Sequence, residues 1–197
     1  MGNLRTAIGD AFRLRYLLEC QLVTLLTEAE KRDHIKWWQR QTGYRVFSET
    51  GTFLGKTTLA MADVFDRCYT IEYDPALYEK AKASFAGRDN ITAYLGDSGK
   101  LLGEILGMMS EPGIFWLDAH YSGGITGRAK ADTPIERELS VIFSHAVKGH
   151  VILIDDARLF IGRHNYPRIR SLVQLAARNG YKLKIRDDII RIYQDDL

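Results

Sequence analysis

Residues 49–55 read Glu-Thr-Gly-Thr-Phe-Leu-Gly, and they stand between a short strand-like run, 45–49, and a helix-like stretch, 56–65. A glycine turn between a strand and its helix is where doubly wound α/β folds bind nucleotide-like ligands. Gly51 would permit a tight turn and a close approach of the ligand, and Gly55 would let the helix begin near the strand. The segment therefore predicts a ligand-binding loop at the carboxyl end of a first β-strand.

Strand-like and helix-like segments alternate along the rest of the chain. The strand-like segments are 45–49, 68–73, 91–95, 113–118 and 150–155, and the helix-like segments are 56–65, 75–85, 98–108, 134–147 and 168–179. This alternation predicts parallel βα units with right-handed crossovers. Two last β runs, 181–186 and 189–193, are separated only by Asp187-Asp188, which is too short for a crossover helix. We expect a single doubly wound, Rossmann-like α/β sheet, mostly parallel, that ends in an antiparallel C-terminal hairpin.

The chain begins with a segment that carries a helical pattern of its own. Apolar residues recur with helical spacing between 4 and 29, which predicts an N-terminal amphipathic helix. We expect a helical extension over 1–40 and a ligand-binding domain over 41–197. The helix could pack on that domain, cover the active site or pair with a second subunit in a homodimer. Trp37 and Trp38 are expected to anchor the extension to the core or, less commonly, to line a ligand pocket.

Composition limits the partners that this chain can have. Its 27 basic and 25 acidic residues are mixed along 197 residues, so no basic block of the kind that binds nucleic acid is present. The sequence has no membrane-length apolar run and no signal-peptide pattern. Cys20 and Cys68 stand alone in apolar stretches, which indicates buried free thiols. We expect a cytoplasmic protein that acts on a small molecule and binds neither nucleic acid nor a membrane.

Acidic residues follow the next two strands where a nucleoside would lie. Glu72, followed by Tyr73, ends the second strand about twenty residues after the glycine loop, where a carboxylate accepts hydrogen bonds from ribose hydroxyls. A solvated strand-end carboxylate is the alternative, but the glycine loop predicts an acid at this position. Gly96-Asp97-Ser98 follows the third strand. Asp97 could accept from the exocyclic amine of a purine or cap the next helix, and these roles are compatible.

Across residues 45–195 the chain resembles the class I S-adenosylmethionine-dependent methyltransferases. The resemblance rests on four motifs, which are Glu49-x-Gly51-x-x-x-Gly55, Glu72, Gly96-Asp97-Ser98 and Ile114-Phe115-Trp116-Leu117-Asp118. The commonest first loop of that family is Gly-x-Gly-x-Gly, and this chain departs from it. The resemblance implies that S-adenosylmethionine binds to Glu49, Thr50, Gly51, Thr52, Gly55, Glu72, Tyr73, Asp97, Ser98 and Asp118.

Other functions for the same loop fit the sequence less well. The glycine loop followed by Lys56-Thr57 looks like a phosphate-binding P-loop, but three residues rather than four separate its glycines. Glu49 and Glu72 would bring negative charge close to a triphosphate, whereas they would favour a sulfonium cation. The Gly-x-Gly-x-x-Gly loop of nicotinamide dehydrogenases is absent. A non-catalytic nucleoside-binding module that kept the cofactor pocket is the remaining alternative.

Three carboxylates end the fourth and fifth strands, namely Asp118, Asp155 and Asp156. These strands are expected to be neighbours, so the carboxylates would converge beside the cofactor, and a divalent cation such as Mg²⁺ would offset their repulsion. The arrangement is similar to the metal-dependent O-methyltransferases of the catechol and macrolide-sugar type. That resemblance implies Asp118, Asp155 and Asp156 as metal ligands. Adjacent aspartates also commonly cap helices or pair with arginines, here Arg158 or Arg128.

Two further segments are candidates for the acceptor side of the site. His120 could act as a general base or as an additional metal ligand, although a lone histidine in a loop is often a surface residue. The glycine-rich, basic segment 121–130 is either a closing lid or a solvated loop, and 164–167 is a candidate lining of the acceptor pocket. We expect methylation of an oxygen on a small hydroxylated acceptor, with Asp118 and His120 in catalysis. A nitrogen acceptor is the open alternative.

Overall fold

The computed structural model describes residues 25–118, 133–163 and 165–194. Within these ranges the strands are β1 (Val46–Thr50), β2 (Arg67–Glu72), β3 (Ile91–Leu95), β4 (Ile114–Leu117), β5 (Val151–Ile154), β6 (Lys182–Arg186) and β7 (Ile189–Tyr193). The helices are α1 (Glu28–Thr42), α2 (Lys56–Met61), α3 (Pro75–Ser84), α4 (Ser98–Gly107), α5 (Ile135–Ser144) and α6 (Ile169–Arg178), with one 3₁₀ turn at Ala157–Leu159.

All seven strands form one sheet in the order β3-β2-β1-β4-β5-β7-β6. Strands β1 to β5 are parallel, and β7 pairs antiparallel with both β5 and β6. This confirms the predicted fold class, a doubly wound sheet that closes with an antiparallel hairpin. The chain passes from β1 outward to β3 and then returns to place β4 on the other side of β1. The topological switch point, where such folds bind ligands, therefore lies between β1 and β4.

The central strands β4 and β5 are apolar along their whole length because helices cover both faces of the sheet. Alternate side chains of β5 enter different cores, Ile152 and Ile154 on one face and Val151 and Leu153 on the other. Helices α4, α5 and α6 bury their apolar stripes against the first face. Helices α1 and α2 contribute side chains such as Ile35 to the second. Polar side chains of the site therefore follow the last residues of β4 and β5, whereas β1 carries Ser48, Glu49 and Thr50 within the strand.

The closing hairpin turns at Asp187 and Asp188, the two residues from which the turn was predicted. Asp187 and Asp188 both have positive φ, 56° and 61°. Two left-handed residues in a row form the tight turn whose twist suits paired antiparallel strands. Asp188 is also buried, and its carboxylate accepts a hydrogen bond from Arg158 N at 2.8 Å. The turn is therefore tied to the segment that follows β5.

Helix α1 does not begin where the apolar pattern predicted. Residues 25–27 are not helical, and Thr27 caps a new helix through a reciprocal pair of hydrogen bonds with Glu30. The predicted helix is therefore wrong at its C-terminal end, and its part within 1–24 lies outside the described residues. Trp38 is buried and anchors α1 as expected, whereas Trp37 is 43% exposed. The division of the chain at residues 40 and 41 stays a prediction.

Two other expectations from composition can be placed on the structure. Cys68 is a free, buried thiol as predicted, and Cys20 lies outside the described residues. Within the ranges that the structure describes, no helix combines the length and apolarity that crossing a membrane requires.

A buried histidine makes the fold sensitive to acid. His150 Nδ1 accepts a hydrogen bond from Gly113 N at 3.1 Å, and its Nε2 lies 3.0 Å from His145 Nδ1. Burial, and then the nearby His145, lower the pKa of His150 from 6.5 to about 4. Between pH 6.5 and pH 4, the folded state therefore keeps the His150 ring neutral, whereas the unfolded chain binds a proton there. This contribution to stability is complete above the unfolded pKa and falls as the pH drops from 6.5 towards 4.

We expect His150→Asn to flatten this acid dependence, because asparagine can keep an acceptor for Gly113 N without titrating. Between pH 7.5 and pH 5 the wild type should lose about 2 kcal/mol more unfolding free energy than the variant. Urea unfolding at both pH values measures the difference. Equal losses in the two proteins would show that His150 does not titrate between folded and unfolded states.

Candidate active site

The glycine loop and Glu72 meet in one crevice at the carboxyl ends of β1 and β2. Gly51, with φ 84°, donates its N–H to Ile71 O at 3.0 Å, which fastens the loop to β2. Phe53 N donates to Glu72 Oε2 at 2.7 Å. Phe53 itself is left-handed, with φ 51°, a conformation that a non-glycine residue adopts only when its surroundings hold it. The sequence predicted that the loop and the carboxylate would face each other, and the structure brings them together.

The Glu72 carboxylate has hydrogen-bonding capacity beyond these contacts. Its other oxygen, Oε1, accepts from Asp74 N at 2.8 Å, and the residue is 7% exposed. A carboxylate has about four acceptor sites, so one on each oxygen remains for a diol such as a ribose. Tyr73, the next residue, is exposed beside it. Glu72 thus orders the loop as well as offering acceptors, a role that sequence reasoning missed.

Gly55 ends the loop, and it is glycine because of a close approach. It precedes α2 with φ 75°, and a Cβ there would lie 2.6 Å from Cε1 of Phe85. The crowding comes from the ring that follows α3, and not from β1 as the sequence suggested. The loop therefore rests directly on a buried aromatic side chain, and any larger residue at position 55 would have to displace it.

Glu49 lies beneath the loop and not on its surface. Its Oε2 accepts from Thr58 Oγ1 at 2.5 Å and from Thr70 Oγ1 at 3.4 Å, and Glu49 is only 3% exposed. Burial, with a further contribution from Asp118, raises the pKa of Glu49 to about 8. Thr52, in the loop, hydrogen-bonds to the same Thr70 at 2.5 Å. A positive charge above the loop would stabilise the ionised form of Glu49.

Asp97 caps α4, which was one of its two predicted roles. Its Oδ1 accepts from Gly99 N at 3.0 Å, and its Oδ2 pairs with an Arg137 guanidinium nitrogen at 3.1 Å. Ser98 is buried at the start of α4. Both residues stand at the end of β3, at the same sheet edge as Glu72. Contact between Asp97 and a purine stays a prediction, and Arg137 is a neighbour that the sequence did not suggest.

The two strand ends that carry the chemical carboxylates are neighbours, as predicted. Asp118 N donates to Thr50 O at 3.0 Å, which places Asp118 beside the glycine loop. Asp155 Oδ2 pairs with Lys31 Nζ at 2.6 Å, and its Oδ1 accepts from Asp156 N at 2.8 Å. Burial, then the Asp118 and Asp156 carboxylates, raise the pKa of Asp155 to about 7, against the opposing effect of Lys31.

Asp156 is directed to a different partner. It has φ 57°, and its Oδ1 pairs with Arg158 at 2.6 Å, while Arg158 also pairs with Asp188. Pairing with Arg158 was the alternative that the sequence left open. Asp155 and Asp156 are therefore each held by a cation of the protein, which leaves neither of them unpaired for a divalent metal ion. In the part of the chain that is described, no group of three or more His, Cys, Asp or Glu residues could hold one. A metal stays a prediction, and nothing below depends on it.

Several candidate residues lie outside the described residues. These are His120, the segment 121–130 with Arg128, and His164. Their predicted roles as base, lid and pocket lining stay predictions. Tyr166, from the last of these segments, is described, and it lines a cleft beside Asp118 and Asp155.

That cleft contains a carboxylate that sequence reasoning missed. It lies between the ends of β4 and β5, the first turns of α5 and the segment after β5. Glu138 of α5 lines it and is 1% exposed. The signal was present in the sequence, because Glu138 occupies the apolar stripe of α5 between Ile135 and Leu139. An acid at a core-facing position of a helix is unusual enough to mark a site.

Comparison with known proteins bears on the fold. No family model and no curated protein matches the chain. The solved structure of the O-methyltransferase TomG from Streptomyces achromogenes, in complex with S-adenosylmethionine, is 16% identical with a TM-score of 0.63, and the match covers 98% of this chain and 97% of that one. The fold is that of class I methyltransferases.

Two further methyltransferase structures give the same result. The O-methyltransferase from Bacillus cereus, in complex with S-adenosylhomocysteine, is 16% identical with a TM-score of 0.59, and the match covers 95% of this chain and 90% of that one. The Podospora anserina methyltransferase PaMTH1, also bound to S-adenosylhomocysteine, is 15% identical with a TM-score of 0.59, over 95% and 88% of the two chains. The resemblance inferred from the sequence is thereby confirmed for the class I methyltransferase fold.

Proposed function

We propose that the protein is an S-adenosylmethionine-dependent methyltransferase that methylates an oxygen of a small hydroxylated acceptor. The observation that supports this most directly is the contact of Phe53 N with Glu72 Oε2 at 2.7 Å. It puts the glycine loop in direct contact with a nearly buried strand-end carboxylate at the carboxyl ends of β1 and β2. These strand ends lie beside the switch point of the doubly wound sheet, and such folds bind a nucleoside in the crevice at that place.

The residues of the crevice fit S-adenosylmethionine in chemistry as well as in position. Each oxygen of Glu72 retains acceptor capacity for a ribose hydroxyl. Asp118 provides negative charge beside the loop, and a bound sulfonium would also favour the ionised form of Glu49, whereas a polyphosphate would be disfavoured. When bound, S-adenosylmethionine supplies a methyl group on a good leaving group. The protein's part is then to orient the acceptor and to remove its proton.

Asp118 is the proposed proton acceptor for this reaction. It ends β4 beside the glycine loop, and it also lines the cleft that continues towards β5. An acceptor hydroxyl in the cleft would give its proton to the Asp118 carboxylate while its oxygen forms the new bond to the methyl carbon. The carbon–sulfur bond breaks as the new bond forms, and its electron pair stays on sulfur. Asp155, held by Lys31, keeps a second carboxylate in place beside the acceptor.

The proposal is tested by ligand binding and by turnover. S-adenosylmethionine should bind in calorimetry, and ATP should bind at least about tenfold more weakly because of the carboxylates beside the loop. NAD is expected not to bind. A panel of hydroxylated acceptors, with and without Mg²⁺, then reports methyl transfer. Binding of ATP alone would indicate a phosphate-binding protein, and binding of S-adenosylmethionine without turnover of any acceptor would indicate a nucleoside-binding module.

A further inference from the structure

Glu138 is a buried acid that the proposed methyl transfer does not use. Its Oε1 is shielded from solvent and accepts no hydrogen bond from any residue that the structure describes. Burial raises the pKa of Glu138 to about 7, and the hydroxyls of Ser98 and Thr50 oppose this shift without supplying a partner for Oε1. A buried carboxylate oxygen without a partner costs on the order of 1–3 kcal/mol or more. Such a cost is tolerated where a ligand supplies the missing donor.

The surroundings of Glu138 favour a positively charged donor. It shares its cleft with Asp118 and Asp155, so three carboxylates line one narrow space. Asp155 is already neutralised by Lys31 at 2.6 Å, whereas no lysine or arginine of the described residues hydrogen-bonds to Glu138 Oε1. The remaining walls include apolar and aromatic side chains such as Ile135, Ile154 and Phe160. In a weakly polar space of this kind, an ammonium group is attracted to a carboxylate more strongly than in water.

The cleft lies on the acceptor side of the site and not on the cofactor side. Its floor is formed by the ends of β4 and β5, beyond the switch point from the glycine loop and Glu72. Asp118 belongs both to this cleft and to the junction with β1. A molecule bound to Glu138 in the cleft would therefore share that cleft with Asp118, the proposed proton acceptor.

We infer that the acceptor is a hydroxylated compound that also carries an ammonium group, and that Glu138 binds this ammonium in the cleft at the ends of β4 and β5. The inference rests on the proposed methyl transfer and specifies its substrate class, a hydroxylated amine such as an amino sugar or an alkylamine that carries a phenol ring. Glu138 is a specificity-determining residue in this assignment. It fixes which end of the acceptor is bound and leaves the hydroxyl for Asp118.

The test compares ligands that differ by an amino group, using full-length protein saturated with S-adenosylhomocysteine. Tyramine is paired with 4-ethylphenol, and glucosamine with glucose. In at least one pair the amine should bind about tenfold more tightly, a difference of about 1.4 kcal/mol. Glu138→Gln should abolish the preference. Glu136→Gln, which makes the same change at an exposed position of the same helix, should retain it.

The outcomes separate this inference from the proposed function. Titration of S-adenosylmethionine comes first, and no binding there would refute the methyltransferase itself. If S-adenosylmethionine binds but neither amine is preferred, or if the preference survives Glu138→Gln, only the ammonium site is refuted. Weaker S-adenosylmethionine binding by Glu138→Gln would also refute it, because Glu138 would then belong to the cofactor site. The variant should unfold at the same or a higher temperature than wild type, since it removes an unpaired buried acid. A clear fall would show that Glu138 is paired within the fold.

Discussion

Replacing Glu72 by alanine is expected to weaken S-adenosylmethionine binding about 10- to 100-fold, the effect of losing charge-assisted hydrogen bonds worth about 1.5–3 kcal/mol. The variant would lose the two contacts to the ribose that are proposed for the Glu72 carboxylate. Phe53 N and Asp74 N would also lose their acceptor, so the loop would be less ordered before the ligand arrives. Calorimetric titration of both proteins measures the change.

Controls can assign the loss to the ribose. Glu79→Ala removes an exposed carboxylate from α3, and it should leave the affinity unchanged. Adenosine and 2′-deoxyadenosine provide the second comparison. If Glu72 binds the ribose, the missing hydroxyl should weaken binding to the wild type and have little further effect in Glu72→Ala, as in a double-mutant cycle. An affinity for S-adenosylmethionine within about threefold of wild type, below about 0.7 kcal/mol, would contradict the assignment.

The second large effect is expected at Gly55. Substitution by alanine places a methyl group 2.6 Å from the Phe85 ring and forces a non-glycine residue to φ 75°. Left-handed strain of about 1–2 kcal/mol and overpacking of about 1–3 kcal/mol should together lower the unfolding free energy by about 2–5 kcal/mol. Urea unfolding of the variant and the wild type measures the loss.

Gly43 allows the two causes to be separated. It has φ 68° at the end of α1, and a Cβ there would meet nothing within 4 Å. Gly43→Ala should therefore show the backbone strain alone. Trimming the ring with Phe85→Leu should recover part of the Gly55→Ala loss, measured against the single Phe85→Leu variant. Equal losses for Gly43→Ala and Gly55→Ala would show that the contact with Phe85 has no energetic consequence.

The sheet could be predicted from the sequence because its signals are local. Apolar runs of four to six residues, each followed by a helical stripe, specify parallel βα units, and Asp187-Asp188 specifies the final turn. The start of α1 was also readable, since Thr27-Glu28-Ala29-Glu30 has the spacing of a capping box. The apolar repeat, however, continues past this cap to residue 29 and conceals the boundary. A cap is a stronger boundary signal than an apolar repeat, which here Arg15 interrupts.

The sequence predicted where the carboxylates of the site lie, but not all of the cations that pair with them. Strand ends fix where Glu72, Asp118 and Asp155 lie, because the carboxyl ends of parallel strands share one sheet edge. Which cation reaches each carboxylate depends on tertiary packing. Lys31 and Asp155 are 124 positions apart, and no local pattern joins them. The metal hypothesis, which stays a prediction, offsets these like charges with an ion from solution; the chain itself brings Lys31 to Asp155, and Arg158, the alternative that the sequence offered, to Asp156.

The ion pair between Lys31 and Asp155 connects α1, the helix before the sheet, to the candidate site. Lys31 belongs to α1, so the counter-ion of a strand-end acid is delivered by a helix that lies outside the βα repeat. If α1 shifts, Asp155 loses its paired cation, so the position of α1 affects the charge at the ends of β4 and β5. A protein trimmed to residues 41–197 would keep the sequence of every strand but would lose Lys31, the cation that pairs with Asp155.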